Sequence, residues 1–327
     1  MDRITSSFLS NQSINFLNTN LNILSEFQTK LSTGQNINKP SDDPIGATRI
    51  LDLSNTLRTD QRYKRNIENA IVEVNTADKV LGNMVDLVHR VQELTTQAAT
   101  VTNNQAGRNA IALEVDQIID QLVQLGNTDI GGKYIFGGFQ TGAPPFVRSD
   151  DYIIDYNGTP AANPWQRPVE VARGITMDVN INGENFLGTA AGPAGNGPVP
   201  LPAGIGGSGL FQTMTELLAD LRSPTPAPPA TPTVQLEEIR LRLDELTAGL
   251  NTLSANQSIV GSISNRLELT NSRIEERKSV LTQQYADIQD IDMAETIANL
   301  THHENVFQAS LAVTGRVLQT SLLDFLR

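Results

Sequence analysis

Apolar residues recur at alternating intervals of three and four residues at both ends of the chain. In the last part, residues 290–327, this ladder consists of Ile297, Leu300, Phe307, Leu311, Leu318 and Phe325, with Glu304, Thr314 and Ser321 between them. The matching ladder near the other end consists of Ile14, Leu17, Leu21, Leu24 and Leu31, interrupted by Gln28. This spacing places the apolar residues along one side of a helix. Because a lone helix cannot bury such a seam, we expect the two ends to pack together, and the apolar residues of both ladders are our candidates for a helix-seam and assembly interface.

The terminal helices carry few charges. Fifteen of residues 1–33 are Ser, Thr or Asn, which are weak helix formers, and the only charged residues there are Asp2, Arg3, Glu26 and Lys30. A solvated helix normally carries charges on its outer face. We therefore expect these helices to have neighbours on more than one side in an assembly, and to fray in the free chain.

Longer ladders lie inside these ends and predict an antiparallel coiled-coil rod. Gly34 is a plausible C-cap of the first helix, and Asp43 with Pro44 forms an N-cap and first-turn pair for the next. The second helix carries Ile50, Leu53, Leu57, Ile67, Ile71, Val74, Leu81, Val85 and Val88, and a shorter helix follows after Gly107. A late helix carries Ile239, Leu243, Leu246, Leu250, Leu253, Val260, Leu267, Ile274 and Leu281.

The middle of the chain has a different composition. Fourteen of the 16 prolines and 14 of the 24 glycines lie between Tyr134 and Pro232. Alternating apolar residues and the dipeptides Asn157-Gly158 and Asn182-Gly183 predict β-hairpins, and Leu210 to Leu221 predicts a short helix. Residues 188–209 and a proline-rich stretch after Leu221 predict a loop and a linker.

These patterns predict a mainly α fold with a β insert. Residues 1–43 and 290–327 would form a terminal helix pair, and residues 44–130 and 233–289 the coiled-coil rod. Residues 131–232 would form a small antiparallel β domain with loops rich in Gly and Pro. The helices of the two halves would pair antiparallel within one chain.

The sequence shows no constellation typical of an enzyme, a cofactor site or a metal site. There is no cysteine, His302 and His303 diverge on a helix, and His89 lies at a seam boundary. A GxGxxG match at 204–209 lacks the strand that a dinucleotide site requires. The net charge of −12 argues against nucleic-acid binding, so we interpret Arg58, Arg62, Lys64 and Arg65 as a solvated helix face. No apolar run is long enough for a membrane span, and the N-terminus has no cleavable signal pattern.

Several segments resemble the bacterial flagellin family, and within it the branch that joins the hook to the filament. These segments are LSTGQNINKPSDDPIGATRI at 31–50, GGKYIFGGFQTGAPPF at 131–146, residues 156–188, DIQDIDMAETIANL at 287–300 and SLLDFLR at the end. The resemblance covers nearly the full chain, and PSDDP and YIFGGFQTGAPPF are its most specific parts.

The resemblance implies a non-enzymatic structural subunit of the flagellum. It implies a homo-oligomeric ring at the hook-filament junction, in contact with the other hook-associated junction protein and with flagellin. It also implies an extracellular location, reached by flagellar type III export with an export chaperone and without a cleaved signal. The alternatives are a flagellin-type filament subunit and an adhesin-like surface role of the middle domain.

Overall fold

The computed structural model describes residues 2–100, 104–150, 153–158, 167–189, 209–223 and 232–325, and the side chains of residues 2–7, 9–10, 150, 232–236 and 317–325 lie outside this description. Most of the described chain is helical. The helices are α1 (Asp2–Thr33), α2 (Pro44–Ala98), α3 (Gln105–Gly126), α4 (Glu184–Leu187), α5 (Leu210–Arg222), α6 (Pro232–Gln289) and α7 (Met293–Phe325). The prediction of a mainly α chain whose long terminal helices pack together is confirmed.

Six short strands lie between α3 and α4. They are β1 (Asp129–Ile130), β2 (Lys133–Tyr134), β3 (Phe146–Asp150), β4 (Ile153–Tyr156), β5 (Pro168–Ala172) and β6 (Ile175–Asp178). Each consecutive pair forms its own antiparallel two-stranded sheet. The insert is therefore three separate hairpins in the described part of the chain, because no ladder joins one pair to the next.

The chain divides into two compact units. Unit one contains Met1–Gln61 and Glu275–Arg327, and unit two contains Arg62–Ile274. The three-part division predicted from composition stays a prediction.

In unit two, α2 and α6 pair antiparallel through a seam with polar contacts at intervals. Ser264 Oγ donates to Asn75 Oδ1 at 2.8 Å, and Gln92 Nε2 donates to Thr247 Oγ1 at 3.1 Å. Later residues of α2 thus contact earlier residues of α6, so the two helices run antiparallel. Every seventh residue of α6 in this unit is fully or almost fully buried, as its ladder predicted: Ile239, Leu246, Leu253, Val260, Leu267 and Ile274.

The ladder predicted for α2 is correct for one of its two rows. Ile67, Val74, Leu81 and Val88 are buried, but Ile71 and Val85 are only partly buried. The second buried row lies one residue earlier and consists of Tyr63, Ala70, Ala77, Met84 and Val91. The apolar ladder missed this row because two of its five residues are alanine, whose small side chain gives a weak apolar signal but lets helices approach closely.

Helix α5 is the centre of the core beneath the hairpins. Eight of its 13 residues are buried, including two threonines, so the helix is covered on nearly every side. It packs against α3, and the Phe211 ring lies edge-on to Phe146 of β3, with 5.4 Å between ring centroids. Phe146 also contacts Tyr156, and burial raises the pKa of the Tyr156 hydroxyl, which donates to Phe136 O at 2.8 Å.

The two Asn-Gly dipeptides were wrongly predicted as hairpin turns. The β5–β6 turn is Arg173-Gly174, where Gly174 has a φ of 71°. Asn157-Gly158 instead follows β4, and Asn182-Gly183 precedes α4, where Asn182 Oδ1 accepts from the Glu184 amide at 2.9 Å. One dipeptide thus follows a strand and the other precedes a helix, where the Asn side chain caps a backbone amide.

Unit one contains an ordered connection that we call the clasp, residues 34–46 with 289–292. Gln35 and Asp290 form a β-bridge, the Asn36 amide donates to Gln289 O at 2.6 Å, and the Ile291 amide donates to Gly34 O at 3.2 Å. Gly34 ends α1 with a φ of 72°, as a C-cap glycine does. The clasp therefore joins the α1–α2 connection to the α6–α7 connection.

Two aspartates shape the clasp through backbone amides. Asp43 Oδ1 accepts from the amides of Ile45 and Gly46, each at 3.0 Å, so the predicted N-cap is confirmed. Asp42 Oδ2 accepts from Asn38 at 3.1 Å and Lys39 at 2.8 Å, which closes the turn before the helix. The PSDDP segment is thus a pair of caps.

We predict that Asp43→Ala lowers the stability of unit one by about 0.5–2 kcal/mol, the usual cost of losing an N-cap. Asp43→Asn should remain close to the wild type, because its amide oxygen can accept the same hydrogen bonds. Urea unfolding followed by circular dichroism measures the effect, with the exposed Asp52→Ala on the same helix as the control. Equal unfolding midpoints for Asp43→Ala and Asp52→Ala would contradict the capping role.

We further predict that residues 190–208 can be replaced by two glycines with little loss of stability. The two ends of this segment meet, because a Cβ placed on Gly209 would lie 2.6 Å from Gly188 Cα. Removing α5 as well should destabilise unit two strongly, since it exposes the buried side chains of α3. Thermal melting of both deletions tests this contrast, and a large loss from the shorter deletion alone would refute it.

Candidate assembly interface

The terminal helices α1 and α7 pack on each other in unit one through two rows of residues. On α1 the rows are Leu17, Leu24 and Leu31, which are buried or partly buried, and the partly buried Ser13, Asn20 and Phe27. On α7 the rows are Leu300, Phe307 and Thr314, and Thr296, His303 and Ser310, again buried or partly buried. Each helix thus contributes one largely apolar row and one largely polar row.

Phe27 and His303 belong to the polar rows of α1 and α7, and the apolar ladders did not include them. Their rings stack with 5.4 Å between centroids and 30° between planes. His303 also lies edge-on to His302, whose side chain is exposed. The signal in the sequence was the position of Phe27 three residues after the seam residue Leu24, a spacing that places both on one face.

Threonine hydroxyls in both helices bond to their own backbone. Thr19 Oγ1 donates to Asn15 O at 2.9 Å, Thr29 Oγ1 to Ser25 O at 2.8 Å, and Thr296 Oγ1 to Asp292 O at 2.6 Å. A hydroxyl satisfied in this way leaves the threonine methyl to contact a neighbour. Polar residues can therefore lie at a helix contact without a polar partner on the other helix.

The predicted seam residues separate into two groups in the single chain. Leu24 is buried, and Leu17, Leu31, Leu300 and Phe307 are partly buried, so these lie at the contact between α1 and α7. Four others are 44% to 52% exposed: Ile14, Leu21, Ile297 and Leu311. The side chains of Leu318 and Phe325 lie outside the described set.

The four exposed seam residues share one flank of the helix pair, which we call the Leu21 flank. Ile14 and Leu21 directly follow Ser13 and Asn20, and Ile297 and Leu311 directly follow Thr296 and Ser310. In two antiparallel helices that face each other, the residue after a given core row turns to the same side in both. The Leu21 flank is therefore a largely apolar surface that the chain leaves exposed, with the polar Gln28 and Glu304 at the same positions of the repeat.

The opposite flank is also apolar, and we call it the Phe16 flank. Phe16 and Val313 are 59% and 58% exposed, while Ile23 and Val306 are partly buried. These four residues directly precede Leu17, Thr314, Leu24 and Phe307 of the core rows, so they turn away from the Leu21 flank. The helix pair thus presents apolar side chains on two opposite sides.

The remaining candidates do not form a chemical site. His89 is exposed and its Nδ1 lies 3.2 Å from Gln92 Oε1. Arg58, Arg62 and Arg65 are exposed on α2, and Lys64 pairs with Glu68 at 3.6 Å, as a solvated face predicts. The GxGxxG match lies outside the described residues except for Gly209.

The described residues contain neither a metal-binding cluster nor a membrane-spanning helix. No group of three or more His, Cys, Asp and Glu side chains there is placed to hold a metal ion. None of the described helices is both long enough and apolar enough to cross a membrane.

Two family models match the parts of the chain that contain these terminal helices. The bacterial flagellin N-terminal helical region matches residues 4–141, and the bacterial flagellin C-terminal helical region matches residues 243–326. The chain belongs to the bacterial flagellin family. In this flagellin-family protein the two matched regions are the paired helical halves, and most of the hairpins and α5 lie between them.

Similar proteins are named as flagellar components. Flagellar hook-associated protein 3 of Escherichia coli strain K12 is 26% identical over 291 residues, which cover 87% of each chain. Flagellin of Bacillus subtilis strain 168 is 24% identical over 330 residues, which cover 99% of this chain and 100% of the relative. The solved flagellar junction protein FlgL of Legionella pneumophila shares the fold with a TM-score of 0.56 at 16% identity, covering 74% of this chain and 99% of that one.

We predict that Leu311→Asp leaves the melting temperature of the free chain almost unchanged but prevents the protein from working in the flagellum. Leu311 is half exposed in the single chain, so the new carboxylate stays hydrated there. In an assembly that buries the Leu21 flank, the same carboxylate would lose its water without a partner, at a cost of several kcal/mol. Circular dichroism melting and the swimming of cells that depend on the variant measure the two effects.

Two matched variants complete this test. Gln308→Asp adds the same charge at an exposed position outside both flanks of α7 and should preserve swimming. Leu24→Asp places the charge at the buried contact between α1 and α7 and should lower the melting temperature of the free chain. Normal swimming with Leu311→Asp would show that the Leu21 flank stays exposed in the flagellum.

Proposed function

We propose that this protein is a structural subunit of the bacterial flagellum that assembles as a ring at the hook-filament junction, in the manner of hook-associated protein 3. Its role would be mechanical, connecting the hook to the flagellin filament without catalysis. Support comes from the flagellin-family regions at both ends and from the junction-type relatives that match along most of the chain.

The observation that carries the proposal is the pair of apolar flanks on the terminal helices. A single apolar flank would suit one partner, but two flanks on opposite sides suit a neighbour on each side. The two flanks differ in their residues, so one flank of a copy would meet the other flank of the next, which is a head-to-tail contact. Head-to-tail contacts close into rings when the rotation between copies is a simple fraction of a turn.

The proposed location fixes the other partners. The ring would contact the other hook-associated junction protein on the hook side and flagellin on the filament side. We also propose an extracellular location, reached through the flagellar type III export apparatus with the help of an export chaperone. The low charge of both terminal helices supports this role, because uncharged polar faces and apolar flanks are readily buried among neighbouring copies.

A filament subunit is the second candidate function, and the match to Bacillus subtilis flagellin over the whole chain favours it. The two functions differ in copy number. A filament subunit would be the main protein of sheared flagella, whereas a junction ring would be a trace component of them.

We predict that cells lacking this protein make hooks without filaments and release unassembled flagellin into the medium. The physical reason is that flagellin subunits would have no ring of matching helices on which to start the filament. Electron microscopy of the cell surface and quantification of flagellin in the medium measure the outcome, with a strain complemented by the wild-type chain as the control. Loss of the main filament protein itself, with no flagellin in the medium, would instead identify a filament subunit.

A further inference from the structure

A fully buried carboxylate lies in the helix seam of unit one. Asp60 of α2 has no exposed surface. Arg277 of α6 pairs with both of its carboxylate oxygens, through Nε and Nη2. The Arg277 Nε–Asp60 Oδ2 distance is 2.7 Å, and about half of the Arg277 side chain remains exposed. Next to this pair, Lys278 Nζ donates to Gln61 Oε1 at 3.0 Å.

Stability alone does not account for this pair. Burying a carboxylate costs free energy, and replacing a buried ion pair with apolar residues of similar volume is often neutral or stabilising. The flanking seam positions are apolar or partly apolar, so a leucine would suit position 60 chemically. The best-attested use of a buried polar group in paired helices is to fix their register.

The apolar seam of this protein leaves its register open to error. Buried residues of α6 recur every seven positions from Ile239 to Ile274, and one row of α2 recurs at the same interval from Ile67 to Val88. Sliding one helix by seven residues, about 10 Å along its axis, would again place apolar residues opposite apolar residues. The apolar pattern therefore discriminates poorly between the native register and a register shifted by one repeat.

The ion pair discriminates sharply between these registers. After a shift of seven residues, Asp60 would face Thr270 or Gln284 in place of Arg277. Neither residue carries a positive charge, so the buried carboxylate would be left without its counter-ion. We propose that Asp60 and Arg277 form a register lock, which selects the one alignment of α2 and α6 that brings the residues of the clasp together. This inference holds whether the protein is a junction or a filament subunit.

Spin-label distance measurements on the full-length chain test the lock. The chain contains no cysteine, so Asp52→Cys with Asp287→Cys gives two defined labels on exposed residues that line one groove between α2 and α6. Dilution with unlabelled chain removes distances between molecules. With Asp60 and Arg277 intact, we expect a single distance population.

Removing the lock should add a second population. In Asp60→Leu/Arg277→Leu we expect a second, longer distance that corresponds to a shift of one repeat, in a chain that remains helical by circular dichroism. Asp60→Asn/Arg277→Gln, which keeps polar side chains at both positions but removes the charges, should show it as well. Exchange of the two residues, Asp60→Arg/Arg277→Asp, should restore the single native distance, because the pairing of charges is kept.

The control removes an exposed ion pair that joins α2 to α3, Arg90 with Glu114, whose side chains are 51% and 43% exposed. Arg90→Ala/Glu114→Ala should leave the distance unchanged. A single native distance in both lock-free variants would overturn the proposal and show that the clasp alone sets the register. A second population in the exchanged pair would overturn it too, because the selection would then not depend on opposite charges.

Discussion

The antiparallel pairing of the two halves of the chain is the constraint on which the structure depends. Within the described residues, helix α1 packs against α7, and α2 pairs with α6 through contacts such as the one between Asn75 and Ser264, so neither half buries its seams alone. The clasp hydrogen-bonds the two helix connections to each other at one place, where Asp43 and Asp292 cap the helices that leave it. The hairpins and α5 lie between the two halves in the sequence. Their core packs against α3, one of the helices of the first half.

A second general feature is that polar side chains of the helices form hydrogen bonds with the backbone of their own helix. Many threonines of the long helices donate to a carbonyl one turn earlier, for example Thr48 to Pro44 O and Thr252 to Ala248 O, at 2.8 and 3.1 Å. In the terminal helices α1 and α7 this bonding is combined with few charged residues, so their surfaces carry few charges and few unsatisfied hydroxyls. They can be exposed to water or covered by a neighbouring chain at modest cost, as the proposed assembly requires.

The sequence predicted the helices well and their contact faces only in part. Residues spaced by seven, such as Leu17, Leu24 and Leu31, or Leu246 and Leu253, are buried or partly buried as expected, because this interval keeps them on one line of a paired helix. The second row was misplaced by one residue in α1, α2 and α7. In the terminal helices the rule that apolar residues are buried selected Ile14 and Leu311, whereas the single chain buries neighbours such as Thr296 and leaves those two exposed. Sequence periodicity cannot separate the two classes, because a residue kept for contact between chains has the same pattern as one kept for contact within a chain.

The nested arrangement also has a kinetic consequence. Asp60 and Arg277 are 217 residues apart along the chain, and the partners in the terminal helix pair are farther apart still. Contacts between distant segments slow folding, because the loop must close before any contact repays its entropy. During synthesis α1 therefore remains without its partner until α7 has been made. A chain built in this way keeps α1 unpaired while all the residues between α1 and α7 are made, a long interval in which another protein can bind it before it folds.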